Sequence, residues 1–174
     1  SPGLMHLCCE RGVALTFLTE YGKFMGRVTG SISGNVLLRR TQYKWSDDSI
    51  ISLRFSKRFI SAKIMNSRAV LHRALRDHPE NVDGDLLKKT IDYMSQMLIE
   101  LEKSTDCDSV RGIEGDAAHK YFGCFNELLL SQKAEFSMKN RNRRPPTDRI
   151  NALLSFLYTL LVHETCAALE SVGL

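Results

Sequence analysis

The sequence predicts a predominantly α-helical chain, a multi-helix domain preceded by a remnant of a small β domain, α+β overall. Three observations carry that expectation. Runs rich in Val, Phe and Thr are confined to the first 30 residues, apolar side chains recur at helical spacing from about residue 46 to the end, and Gly and Pro cluster at the points where one pattern gives way to the next. With 174 residues, 43% hydrophobic and 25% charged, the chain has room for one ordinary domain, or one with a fragment of another, and can bury its own core. Disordered and fibrous classes are excluded by that balance.

Residues 4–11 read as a short helix ended by Gly12, a residue suited to the left-handed C-terminal position. Residues 13–19 and 23–29 read as two strands joined by Glu20, Tyr21 and Gly22, a hairpin-length turn. An isolated hairpin is marginal in water, so residues 1–30 are expected to be the C-terminal remnant of a β domain. A linker at 31–34 then leads into a helical domain, 35–174, incomplete at its C-terminus. Ser46 is placed as the N-cap of a long helix carrying Asp47 and Asp48 in its first turn and running to Arg76, before His78 and Pro79 stop it. Asp83 caps the next helix, through about Lys103, with Leu86, Leu87, Ile91, Met94, Leu98 and Leu101 as its buried stripe. A third is expected from near Asp108 to about Gln132. The last follows Pro145, Pro146 and Thr147 and is apolar enough to be the centre of a bundle.

The longest apolar stretch, 150–162, is interrupted by Asn151, Ser155 and Thr159 and is shorter than the ~20 residues of a bilayer span. No membrane partner is expected, no secretory signal is visible, and the chain reads as beginning mid-protein. The five cysteines are odd in number and lack C-x-x-C spacing, which suits buried free thiols in a reducing, cytoplasmic compartment. The five histidines form no metal-binding pair on one helix face.

The net charge of +4 conceals segregation along the chain. Residues 39–76 carry ten basic side chains against two acidic, residues 77–120 eleven acidic against five basic, and residues 133–149 six basic against two acidic. Two basic stretches around an acidic one suggest a polyanion-binding surface beside a place for cations; a solvated helix face is the plainer alternative.

The run Val110, Arg111, Gly112, Ile113, Glu114, Gly115, Asp116, Ala117, Ala118, His119 holds two glycines within a helix, each costing ~1 kcal/mol relative to alanine. Spaced i and i+3, they leave a bare patch open to another helix or a ligand, with Glu114 beside it. A carboxylate among small residues has room for a hydrated hard cation such as Mg²⁺ or Mn²⁺. Tight helix packing with Glu114 salt-bridged at the surface remains the alternative.

That run, followed by Tyr121 and Phe122 and then by Asn142, Arg143, Arg144, Pro145, Pro146, Thr147, Asp148, Arg149, Ile150, Asn151, Ala152, Leu153, Leu154 and Ser155, resembles the CRISPR-associated integrase of spacer acquisition, the first-numbered protein of those systems. Residues 14–28 resemble the end of that family's β domain, and Gly34 to Arg40 with Gln42 and Tyr43 its entry into the helical, catalytic-type domain. Among subtypes the type I-C form is the most similar.

The resemblance implies a metal-dependent DNA endonuclease and integrase of antiviral defense, which inserts short foreign DNA into a repeat array together with a small second CRISPR-associated protein and forms a homodimer largely through its β domains. Glu114 matches the family's glutamate metal ligand, for Mg²⁺ or Mn²⁺, and so is the implied catalytic residue. The family's histidine and aspartate ligands fall beyond residue 174; His163 occupies a different position and is no substitute. The chain is therefore expected to be truncated at both ends and inactive by itself, since one carboxylate alone holds Mg²⁺ weakly. Arg54, Arg58, Arg141, Arg143, Arg144 and Arg149 are the expected DNA contacts, a solvated connection being the alternative for the loop 139–149; Arg111, Gly112, Gly115, Asn151 and Ser155 are candidate neighbours of the active site, with a capping or packing role the alternative for Asn151 and Ser155. A helical DNA-binding or scaffold module without catalysis is the competing reading.

Overall fold

The computed structural model describes residues 1–31 and 34–174, so the expected linker lies partly outside the described residues. In chain order the elements are α1 (Pro2–Glu10), β1 (Leu15–Leu18), β2 (Phe24–Val28), α2 (Val36–Asp47), α3 (Ser49–Asp77), α4 (Gly84–Lys103), α5 (Cys107–Gly123), a 3₁₀ turn (Phe125–Leu128) and α6 (Arg149–Ser171). The predominantly α fold class is the one the sequence predicts. Two compact units are present, one formed by Ser1–Lys44 with Asn151–Leu174 and the other by Trp45–Ile150.

In the second unit α3, α4 and α5 share one core. Ile64 and Leu71 of α3 meet Leu87, Ile91, Met94 and Met97 of α4 and Ala117 of α5, with Cys124 closing the end. Of the six residues of the sequence stripe on α4, Leu87, Ile91, Met94 and Leu101 are buried and Leu98 is partly buried against the core, whereas Leu86 is exposed. Leu87 is completely buried, and Leu87→Ala is expected to cost about 2–5 kcal/mol of unfolding free energy. Urea denaturation followed by circular dichroism measures this, and a loss under 1 kcal/mol would mean that this core is looser than described.

The helix boundaries correct two expectations. Asp48, not Ser46, caps α3, its carboxylate accepting hydrogen bonds from the backbone N–H groups of Ile50 and Ile51 at 2.9 and 3.0 Å. Ser46 and Asp47 close a separate helix, α2, that the sequence reading did not resolve. An aspartate accepts from N-terminal amides as well as a serine does, and two acids in succession left the choice of cap open. Helix α5 stops at Gly123 rather than near Gln132, because the chain tightens into the 3₁₀ turn and then irregular backbone. The cap of α4 falls where expected, with Asp83 accepting from Asp85 and Leu86.

In the first unit the hairpin pairs Leu15 with Val28, Thr16 with Arg27 and Phe17 with Gly26, then shifts register to pair Leu18 with Phe24. Gly22 adopts a positive φ of 75° in the turn, as a glycine permits. Two strands stay ordered here because α6 supports them. Arg27, its side chain only 10% exposed, donates to Glu170 at 2.5 Å, to the backbone carbonyl of His163 at 3.2 Å and to Thr16 at 3.1 Å. Phe24 stacks on His163 with ring centroids 5.4 Å apart. Gly30 lies so close to the backbone of Cys9 that an added Cβ would come within 2.5 Å of its carbonyl oxygen.

Helix α6 departs from two expectations. It is the one helix among the described residues long and apolar enough to cross a membrane by length and composition, because it continues nine residues past the stretch that ended at Val162. Nor is it the buried centre of a bundle: Leu153, Phe156, Leu157, Tyr158, Leu161 and Val162 are exposed. All five cysteines are free thiols, yet only Cys124 is buried; Cys166 is exposed and the others are intermediate.

Candidate nucleic-acid interface and carboxylate site

The site is built on one face of α5. Residues i, i+3, i+4 and i+7 share a helix face, so Gly115, Ala118, His119 and Phe122 form a stripe with Arg111 at its N-terminal end, while Glu114 stands about 100° around the helix from Gly115. Opposite the second half of that stripe runs the segment 139–143, and the two enclose a cleft of about 250 Å³ lined by Gly115, Ala118, His119, Phe122, Lys139 and Arg143, with Arg141 also at its wall. An aromatic ring, a histidine and three cationic side chains thus converge on one concavity. Its volume is below the ~300–1,000 Å³ of drug-sized ligand sites and suits a short stretch of sugar and phosphate.

The segment is held by its own side chains. Asn126 clamps Met138 through two hydrogen bonds of 2.9 Å, one to the carbonyl and one from the N–H. The Asn142 side chain accepts from the backbone N–H of Thr147 at 3.0 Å. Arg141 lies over the Phe122 ring, 5.9 Å from its centroid, and donates to the Asn142 carbonyl. Arg149 pairs with Glu135 and covers Phe136 at 5.7 Å. Arg143 and Arg144 are exposed beside them.

Glu114 is half-exposed on the flank of α5 that faces α3, and its Oε1 accepts from the Lys63 ammonium at 2.5 Å. The surface salt bridge that the sequence left open is therefore present. The tight packing is not, since a Cβ added at Gly112 or Gly115 would meet nothing within 4 Å. The backbone at both glycines is open, though Gly112 stands about 160° around α5 from Glu114 and Gly115 about 100°. Asp116 points to the other side of α5, where the Tyr93 hydroxyl donates to it; that hydrogen bond holds the Tyr93 hydroxyl above its ordinary pKa and commits Asp116 to the α4 side. Among the described residues no group of three His, Cys, Asp or Glu side chains could hold a metal ion.

Of the residues singled out from sequence, Gly115, Arg141 and Arg143 are gathered at one place, with Arg144 adjoining in the chain and Arg111 and Gly112 exposed one turn back on α5; Glu114 is not among the residues lining that cleft and is turned to Lys63 of α3. Arg111 pairs with Asp108 at 2.6 Å. Arg54 and Arg58 are elsewhere: with Lys57, Ser61, Met65 and Glu102 they line a second groove. At 100° per residue Arg54 and Arg58 stand about 180° and 140° around α3 from Lys63, so one flank of α3 faces Glu114 and another carries these arginines. Asn151 is completely buried, which a packing role explains, and the Ser155 hydroxyl is buried without a hydrogen-bond partner; both belong to the other compact unit. Sequence reasoning missed Lys63, Lys139, His119 and Phe122. The i, i+4 and i+7 spacing from Gly115 was legible for the last two, whereas nothing local in the sequence links Lys63 to Glu114, 51 residues away.

A family model described as CRISPR associated protein Cas1 matches residues 1–174. The chain belongs to the Cas1 family. It is 45% identical over 174 residues to CRISPR-associated endonuclease Cas1 1 of Chlorobaculum tepidum, covering 100% of this chain and 51% of that protein. Among solved structures, a casposase bound to integration product superposes with a TM-score of 0.77 at 27% identity, covering 99% of this chain and 46% of that one. A Cas6-RT-Cas1–Cas2 complex matches with a TM-score of 0.70 at 26% identity, covering 98% of this chain and 18% of the other. This Cas1 chain thus spans about half the length of the curated relative it matches.

Proposed function

We propose that this Cas1 chain is part of a divalent-metal-dependent DNA endonuclease and integrase that inserts short foreign DNA into a CRISPR array, and that the α5 face with segment 139–143 receives a DNA strand. Membership of the Cas1 family carries the reading. It is supported by a relative named as an endonuclease, by a structural neighbour bound to an integration product, and by another in a complex with Cas2. The partners would be double-stranded DNA and a small Cas2-type adaptation protein, in the cytoplasm.

The residues present fit one share of a metal site. Glu114 offers a hard, half-exposed carboxylate oxygen, and Mg²⁺ is commonly held through one or two carboxylates, waters and substrate phosphates. Bound there, Mg²⁺ or Mn²⁺ would polarise a phosphoryl oxygen during in-line displacement. Segment 139–143 would neutralise phosphates, and Phe122, beside Arg141, would offer apolar surface to a base or sugar. The chain alone supplies too few ligands to sustain turnover.

Binding to phosphates releases counterions, with a slope of about −0.9 per contact in log K against log salt on B-DNA. Because Arg54 and Arg58 lie apart from the cleft, about three or four contacts are expected, a slope near −3 to −4. Fluorescence anisotropy of a labelled duplex with the 174-residue chain measures it, and absence of binding at low salt would sink the DNA reading in favour of a scaffold.

The homodimer is the remaining partner. Phe17 and Phe24 are 45% and 47% exposed on a hairpin with unpaired edges, surfaces that favour association. Sedimentation equilibrium at high micromolar concentration is expected to show a dimer or larger species; a strict monomer would contradict it.

A further inference from the structure

Helix α3 carries a second surface that shares no lining residue with the α5 cleft. Three aromatic rings line up along it. Trp45, near the end of α2, lies 5.3 Å from Phe55, and Phe55 stacks on Phe59 one turn further on, with ring centroids 6.5 Å apart. Phe55 is half-buried in the middle of the row, whereas Trp45 and Phe59 are 42% and 70% exposed, so open ring surface remains at both ends. An exposed apolar patch rimmed by charge marks an interaction surface. Here the rim is cationic: Arg54 and Arg58, one turn apart and both exposed, edge a groove of about 360 Å³ together with Lys57, Ser61, Met65 and Glu102. The Arg54 guanidinium stands 5.8 Å from the centroid of the Phe55 ring. Lys57 donates to the backbone carbonyl of Glu102 at 2.7 Å, which leaves capture of an anion chiefly to the two arginines.

We propose that this surface of α3 binds unpaired nucleotides, with Arg54 and Arg58 holding phosphates while bases stack on Phe59 and Trp45. The chemistry selects single strands. Bases in a duplex are stacked on one another and offer no face, whereas every unpaired base has a free π-face, so such a surface takes strands of any sequence. A guanidinium beside the rings adds cation–π attraction. An acidic protein segment would satisfy the arginines equally, but it has no use for a row of open rings. The inference goes beyond the α5 cleft and does not rest on it.

Trp45 is the single tryptophan of the chain, so its fluorescence reports on this surface. Titrating the 174-residue chain with an oligothymidine at low salt is expected to quench it, and an abasic phosphodiester chain of the same length, or a duplex, to quench it far less. Phe59→Ala should weaken the oligothymidine affinity by about five- to 150-fold, and Phe59→Tyr should retain it. Replacing Arg54 and Arg58 together with alanine should make the slope of log K against log salt shallower by about 1.4, at ~0.7 per phosphate on a single strand. Arg143→Ala with Arg144→Ala should leave the quenching midpoint where it was. Equal quenching by the abasic chain, no quenching by oligothymidine, or full affinity in a Phe59→Ala protein that circular dichroism shows to be folded would each overturn the proposal and turn the patch over to a protein partner. Duplex binding at the α5 cleft would stand in every one of those cases.

Discussion

Glu114→Ala, introduced into the protein at the full length of its curated relatives, is expected to lower metal-dependent DNA cleavage and strand integration by about 10²- to 10⁴-fold. A hard ligand supplies several kcal/mol of transition-state charge stabilisation through its ion, and each 1.36 kcal/mol is a factor of ten in rate. The fold has little stake in the residue. Glu114 is 36% exposed, pairs only with Lys63 at the surface, and such pairs are worth about 0–1 kcal/mol. The melting temperature should therefore move by less than about 4 °C. The two readouts separate chemistry from folding, and wild-type turnover in Mn²⁺ by a folded Glu114→Ala protein would show that the carboxylate has no catalytic part.

The second large effect concerns the basic segment. Arg143 and Arg144 are exposed next to the cleft, so replacing both with alanine removes two phosphate contacts and little packing. Duplex affinity at low salt is expected to fall by about ten-fold or more for all sequences alike, and the salt slope to become shallower by about 2. Phosphate contacts position a protein on DNA without reading bases, so a loss confined to one DNA sequence would point to a different contact. By contrast, the pair Arg54→Ala and Arg58→Ala should change the slope less, because those side chains border a separate groove with Glu102 and Lys57.

What could be read in advance follows the range of the forces involved. Local signals were sufficient for α4, where Asp83 caps the helix and its apolar residues recur at helical spacing, and for the hairpin turn at Gly22. They were ambiguous where two acids adjoin, as at Asp47 and Asp48, and α2 was lost in that ambiguity. The glycines at 112 and 115 were read as leaving a bare stretch of helix, and a Cβ added at either would meet nothing within 4 Å. Charge counting, however, treats a helix as a line. It gathered Arg54, Arg58 and Lys63 into one basic stretch, although the helical turn sends Lys63 to Glu114 and the two arginines to another flank. The apolar face of α6 was read as core, and only the three-dimensional arrangement shows that among the described residues it remains uncovered.

The central claim is that the α5 face and segment 139–143 form one DNA-binding site. It is tested most directly by placing a photocrosslinking benzoylphenylalanine at His119, inside the cleft, and separately at Gln96, exposed on α4. The account predicts that irradiation with a labelled duplex at low salt links DNA to the protein from position 119, that salt or unlabelled duplex suppresses the link, and that position 96 yields little. Equal crosslinking from both positions, or crosslinking from position 96 alone, would contradict it.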